Sequence, residues 1–163
     1  MIEVTIHTIR VRLTASQDRL IVLQEVGQER YLPIYIGFYE AEAISLELRG
    51  KVPQRPLTHD LLYNCIRELG GRLEYVLINE IKNKTFHALL HIVQNGREVD
   101  IDARSSDSIA LAVRAQVPIY AEEAVLEEAG IWPSAEIEEN REQLAVFRQF
   151  VDTLNLDDLG EPG

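Results

Sequence analysis

Of the 163 residues only one is cysteine, Cys65, so no intrachain disulfide can form and a reduced, cytoplasmic setting is expected. His7, His87 and His91 lie on strand-like patterns without the Cys or His spacing of a zinc site. No apolar run approaches the roughly 18 residues that cross a bilayer, so no membrane association is expected. The opening residues, IEVTIHTIRVRL, enter a strand pattern at once, with no basic segment followed by an apolar block, and no secretory leader is expected. The chain also lacks a cationic excess: 16 Lys and Arg face 27 Asp and Glu, a net charge of −11. That argues against a broad, nonspecific nucleic-acid-binding face but leaves room for a local site where cations offset carboxylates. Much of the negative charge sits at the C-terminal end. There is no P-loop, G-x-G-x-x-G, G-x-S-x-G or C-x-x-C, which removes the common nucleotide, hydrolase and redox readings.

What is present fits one globular domain with a real core: 46% of residues are apolar and 26% charged. Residues 2–14 alternate as a strand, with a change of parity near His7–Thr8 that predicts a bulge or bend. A turn at 15–18 leads to strands at 19–26 and 31–36, the latter at a sheet edge or beginning near Pro33. Phe38 to Arg49 reads as a helix stopped by Gly50. After a Pro-rich loop, Thr58 is the expected N-cap of a helix with Leu62, Cys65, Ile66 and Leu69 as its buried stripe. Strands at 72–82 and 85–93 join through a tight turn at Asn83–Lys84, and Asn95–Gly96 turns into a strand at 98–101. A helix over 106–116, a short extended piece at 118–120 and a short helix at 121–130 follow. Residues 134–154 read as an acidic amphipathic helix that packs on the domain or on a partner subunit.

Shifting the sequence by 65 positions, from Ile36 to Ile101, superposes two stretches. Ile36, Ile44, Leu46, Arg49, Val52 and Pro53 meet Ile101, Ile109, Leu111, Arg114, Val117 and Pro118, while Glu42 meets Asp107. The expected architecture is therefore α+β: a single domain over 1–132 with a duplicated β-β-β-α unit, a largely antiparallel sheet and flanking helices, then a C-terminal helix and tail over 133–163.

Ile101–Arg114 concentrates the chemistry. It runs from a strand end into a helix start, where unpaired backbone N–H groups suit anions. In each copy an acid and an arginine stand seven residues apart on one helix face, Glu42 with Arg49 and Asp107 with Arg114; the rise of ~10 Å rules out a direct pair within one helix. Each acid can instead reach the other copy's arginine, as a structural network or as part of a site. Glu42, Asp102 and Asp107 are the candidate ligands of Mg²⁺ or Mn²⁺, which need oxygen donors. His59 opens the middle helix, as a general base or as a solvated helix-start residue. Arg49, Arg104 and Arg114, with Ser105 and Ser106, are the candidate phosphate contacts.

Five separated blocks in order, LPIYIG with EAEAI (32–44), RPLTHDLL (55–62), TFHALL (85–90), DARSSDSIALAVR (102–114) and PIY (118–120), resemble the bifunctional nuclease family. The resemblance covers about residues 1–130. It implies a small α+β domain and, from characterised plant relatives, nuclease activity on RNA and DNA. One departure is Ser105, where the family usually has proline in its D-A-R-P-S-D run. The resulting expectation is a cation-assisted nuclease acting on RNA or DNA, with His59, Asp102, Asp107 and Glu42 as catalytic groups, in a homo-oligomer. The rival is a noncatalytic regulatory or protein-interaction module whose acid–arginine pairs are structural.

Overall fold

A computed structural model of the chain describes residues 1–11 and 19–133. Strands β1 (Ile2–Val11), β2 (Arg19–Glu25) and β3 (Tyr31–Ile36) precede helix α1 (Phe38–Leu48). Helix α2 (Thr58–Glu68) follows, then β4 (Gly71–Lys82), β5 (Thr85–Gln94), β6 (Arg97–Arg104) and helix α3 (Ser105–Ala115). The short β7 (Ile119–Ala121) and α4 (Glu123–Ala129) complete the described chain. The expected turn at 15–18 and the expected acidic helix at 134–154 lie outside the described residues.

The fold is α+β. Seven strands form one sheet in the order β3-β2-β1-β7-β4-β5-β6, and only β4 and β7 are parallel. Each of the two β-β-β-α runs thus occupies one side of β7. The register of β1 against β2 slips between Ile6 and Thr8, at the parity change the sequence shows. Pro33 sits in the edge strand β3, where a missing N–H costs least. The helix-facing sheet residues include Ile21, Leu23, Leu32, Ile34, Val76 and Ile78, which meet Ile44 of α1 and Ile109 and Leu111 of α3 in one core. Each such side chain stabilises by roughly 1.5–3 kcal/mol on burial. The helix α3 is the most deeply set: its small residues Ser105, Ser106, Ser108, Ala110 and Ala112 are all buried.

The helix α2 departs from expectation in two ways. Its N-cap is Leu57, with Thr58 the first helical residue, and the Leu57 N–H donates to the Asp60 carboxylate at 2.8 Å. None of its residues is fully buried; Tyr63 and Ile66 pack on the core, whereas Leu62, Cys65 and Leu69 are exposed. The polar residues His59 and Asp60 bind α3 and fix the rotation of α2 against its richest apolar stripe.

The β4–β5 hairpin turns on Asn83 (φ 51°) and Lys84 (φ 60°), both left-handed, the type I′ geometry that matches strand twist. Lysine is strained there and glycine is not. Lys84→Gly should therefore stabilise the chain by roughly 0.5–1 kcal/mol, read as a small rise in thermal midpoint. An unchanged or lower midpoint would show that the turn is not strained.

Candidate active site

Among the described residues the three eleven-residue helices have one feature in common: an acid at their third position. Counted from the N-cap residues Gly37, Leu57 and Arg104, these are Glu40, Asp60 and Asp107. Acids favour this position because the first-turn N–H groups and the helix dipole are positive there. The fold brings the three starts together, because α1 and α2 both pack on α3.

Asp107 is the centre. Its Oδ1 lies 2.8 Å from His59 Nε2. Arg104 grips the same carboxylate from the other side, Nε donating to Oδ2 at 2.7 Å and Nη2 to Oδ1 at 3.0 Å. The same Nη2 donates to Glu40 Oε1 at 2.8 Å. Glu40 reaches it by folding back over Gly37, where a Cβ would stand 2.3 Å from Glu40 Oε2. A side chain at position 37 would push the carboxylate away from Arg104.

Burial pushes the Asp107 carboxyl up, and the hydrogen bonds and charges of Arg104 and His59 outweigh it, holding the acid below its usual range. Hydrogen bonds to Asp107 and Glu40 raise the Arg104 guanidinium, which is a cation at any working pH. The Arg104 side chain is still 64% exposed, and its Nη1 has no protein partner among the described residues. His59 is 12% exposed, with Nε2 committed to Asp107 and Nδ1 without a hydrogen bond among the described residues. A histidine held at one nitrogen by a carboxylate presents the other for proton transfer.

A second layer supports the first. Arg114 is 5% exposed at its side chain, and its Nε donates to Asp60 Oδ1 at 2.6 Å. Its Nη1 and Nη2 donate to the carbonyls of Ala110 (2.8 Å) and Ala43 (3.2 Å). One guanidinium thereby ties α1, α2 and α3 together, one residue from His59 at Asp60.

Of the residues the sequence nominated, His59, Arg104 and Asp107 come together, and Ser105 and Ser106 are buried in the first turn of α3. Arg114 is turned inward onto Asp60. Glu42 and Arg49 are exposed on α1 and enter no ion pair among the described residues. The expected exchange of acids and arginines between copies does not occur: Asp107 pairs with Arg104 and His59, Arg114 with Asp60. Asp102 has an 81% exposed side chain, with His87 Nδ1 3.9 Å from its Oδ1. Glu42, Asp102 and Asp107 therefore do not form a cation cage; among the described residues no three His, Cys, Asp or Glu side chains converge as metal ligands. Asp107 has both oxygens engaged, and Glu42 and Asp102 are exposed. Glu40 and Asp60 are the members that sequence reasoning left out of the site, and their shared third-position placement is the signal that marks them.

Comparison with known proteins places the chain in a wider group. The family model described as the bifunctional nuclease domain matches residues 21–134. An uncharacterized protein of Mycobacterium tuberculosis strain H37Rv is 42% identical over 162 residues, covering 96% of both chains. Bifunctional nuclease 1 of Oryza sativa subsp. japonica is 26% identical over 120 residues, which is 69% of this chain and 35% of its own length. Bifunctional nuclease 2 of the same plant is 26% identical over 121 residues, 72% of this chain and 37% of its own. No helix among the described residues is long and apolar enough to cross a membrane.

Proposed function

The chain belongs to the bifunctional nuclease domain family, and we propose that it cleaves phosphodiester bonds in RNA or DNA at the His59–Asp107–Arg104 cluster. The observation that carries this reading is the 2.8 Å contact between His59 and Asp107, with the exposed Arg104 on the same carboxylate. Asp107 holds Nε2–H of the imidazole, so Nδ1 takes the proton of the attacking hydroxyl or water and returns it to the leaving oxygen. Arg104 contacts a non-bridging phosphate oxygen through Nη1 and neutralises the charge that builds there. The helix starts of α1, α2 and α3 add positive potential for the same anion. Arg114 acts through Asp60 on the position of His59, without touching phosphate. The protein groups thus supply the acid, the base and the anion contact. Self-association belongs to the same proposal, through the exposed Leu61, Leu62 and Leu69 of α2 and the terminal strand β6.

The test is cleavage of labelled single-stranded RNA and DNA by the parent and by Asp107→Asn, each with Mn²⁺, with Mg²⁺ and with EDTA. Asp107→Asn leaves the imidazole without its orienting charge, and its cleavage rate should fall by about tenfold to a hundredfold with the fold intact. Activity that vanishes in EDTA would add a divalent cation to the site. Equal activity in variant and parent would remove this cluster from the chemistry. No cleavage by the parent would favour the other reading, a noncatalytic module in which the Glu40–Arg104–Asp107 bridge is structural.

A further inference from the structure

Tyr39 is 83% exposed, an unusual position for a large aromatic side chain. It is the second residue of α1, one step (~3.8 Å of backbone) from Glu40, which holds Arg104. Its ring is braced edge-on by Phe38, with centroids 5.5 Å apart and planes at 83°. Phe38 is itself covered by Arg19, whose guanidinium carbon lies 4.8 Å from the ring centroid. A T-shaped contact covers at most one face of the Tyr39 ring, so at least one face stays available for stacking.

The other unabsorbed feature is the α1–α2 connection. From Leu48 to His59 there is no acid, while Arg49, Lys51 and Arg55 are exposed and enter no ion pair among the described residues. In a chain of net charge −11 this is the densest cationic run, and it leads straight into His59. Pro53 and Pro56 restrict the backbone between the cations. An exposed aromatic at the start of α1 and a cationic run leading into His59 are the two kinds of element by which proteins hold unpaired strands.

We propose that Tyr39 is a base-stacking platform for single-stranded nucleic acid, with Lys51 and Arg55 contacting the phosphates of the same strand. This rests on the nuclease reading for the position of the scissile phosphate, between Tyr39 and His59. Stacking needs a base freed from its own helix, so the arrangement selects single strands over duplex. It is tolerant of sequence, because every base offers a flat face.

The experiment is fluorescence anisotropy with a labelled single-stranded oligonucleotide and with its duplex, using full-length protein carrying His59→Ala so that cleavage of the probe is slowed most. Tyr39→Ala in that background should weaken single-strand binding about tenfold or more, leave duplex binding unchanged, and leave the thermal midpoint in place. Tyr39→Trp should retain binding and show quenching of its fluorescence by the oligonucleotide. The pair Lys51→Ser with Arg55→Gln should flatten the slope of log K against log salt by about 1.4, at roughly 0.7 per phosphate contact on a single strand. Binding by Tyr39→Ala equal to the background, an equal loss on duplex, or no single-strand binding at all would overturn the inference. Parent that cleaves while Tyr39→Ala binds normally leaves the nuclease reading standing without this one. Tyr39-dependent binding by a parent that cleaves nothing does the reverse.

Discussion

His59→Ala should lower kcat/KM on single-stranded RNA or DNA by about 10² to 10⁴-fold, the usual contribution of a positioned proton-transfer group. The loss should fall mainly on kcat, because the imidazole meets the proton in the transition state while Arg104 and the helix starts hold the phosphate in both states. His59 and Asp107 act as one unit, so His59→Ala with Asp107→Asn should cost little more than His59→Ala alone. His59→Gln keeps a hydrogen bond to Asp107 but cannot shuttle a proton, and it should be as inactive as alanine. A glutamine variant that works would assign His59 a purely structural part. Thermal midpoints belong beside the kinetics, since His59 is mostly covered and its contact with Asp107 closes α2 onto α3.

Much of this arrangement is legible in the sequence, and the parts that are not have identifiable causes. The alternation of β1, its bulge at His7, the Asn83–Lys84 and Asn95–Gly96 turns and the edge placement of Pro33 all follow from local backbone chemistry. The functional stretch Ile101–Arg114 is visible as charge and serine at a strand-to-helix junction, and Asp107 and Arg104 do meet there. Glu42 illustrates the limit. The 65-residue shift pairs it with Asp107, yet α1 begins at Phe38 and α3 at Ser105, which is two positions later in the shifted frame. Two residues turn a helix by about 200°. The acid that shares Asp107's place at the helix start is therefore Glu40, and Glu42 is carried round to solvent. Similarity of sequence aligned the core residues, while the helix start decided which acid enters the site. The same logic accounts for α2, where hydrophobic periodicity chose one face and two polar bonds near its N-terminus chose another.

Arg114→Ala should be the most destabilising single change at the site, by about 3–5 kcal/mol near neutral pH, because it leaves Asp60 charged, largely covered and without its partner. For a chain of this length that is a fall of roughly 10 °C in thermal midpoint. Activity should fall with it even in the folded fraction, since α2 would no longer be held where His59 meets Asp107. The pH dependence separates this account from simple loss of packing. Burial pushes the Asp60 carboxyl up; the Arg114 and Leu57 hydrogen bonds, with the charges of Arg114 and His59, pull it down further, so its folded value lies below 3.8. A lowered folded value gives stability that is fully present above the unfolded value and is lost as the pH falls through the folded one. Asp107 is shifted in the same direction and adds to the same loss. The parent should therefore weaken steeply below about pH 3.8, whereas Arg114→Ala, whose Asp60 prefers to be neutral, should weaken less. Urea unfolding at pH 7 and at pH 3 measures the difference directly. The gap between parent and variant should narrow in acid, and Asp60→Asn should narrow it in the same way. A gap that is unchanged or wider at pH 3 would mean that Arg114 stabilises through its contacts with the Ala43 and Ala110 carbonyls and its packing, not through its charge on Asp60.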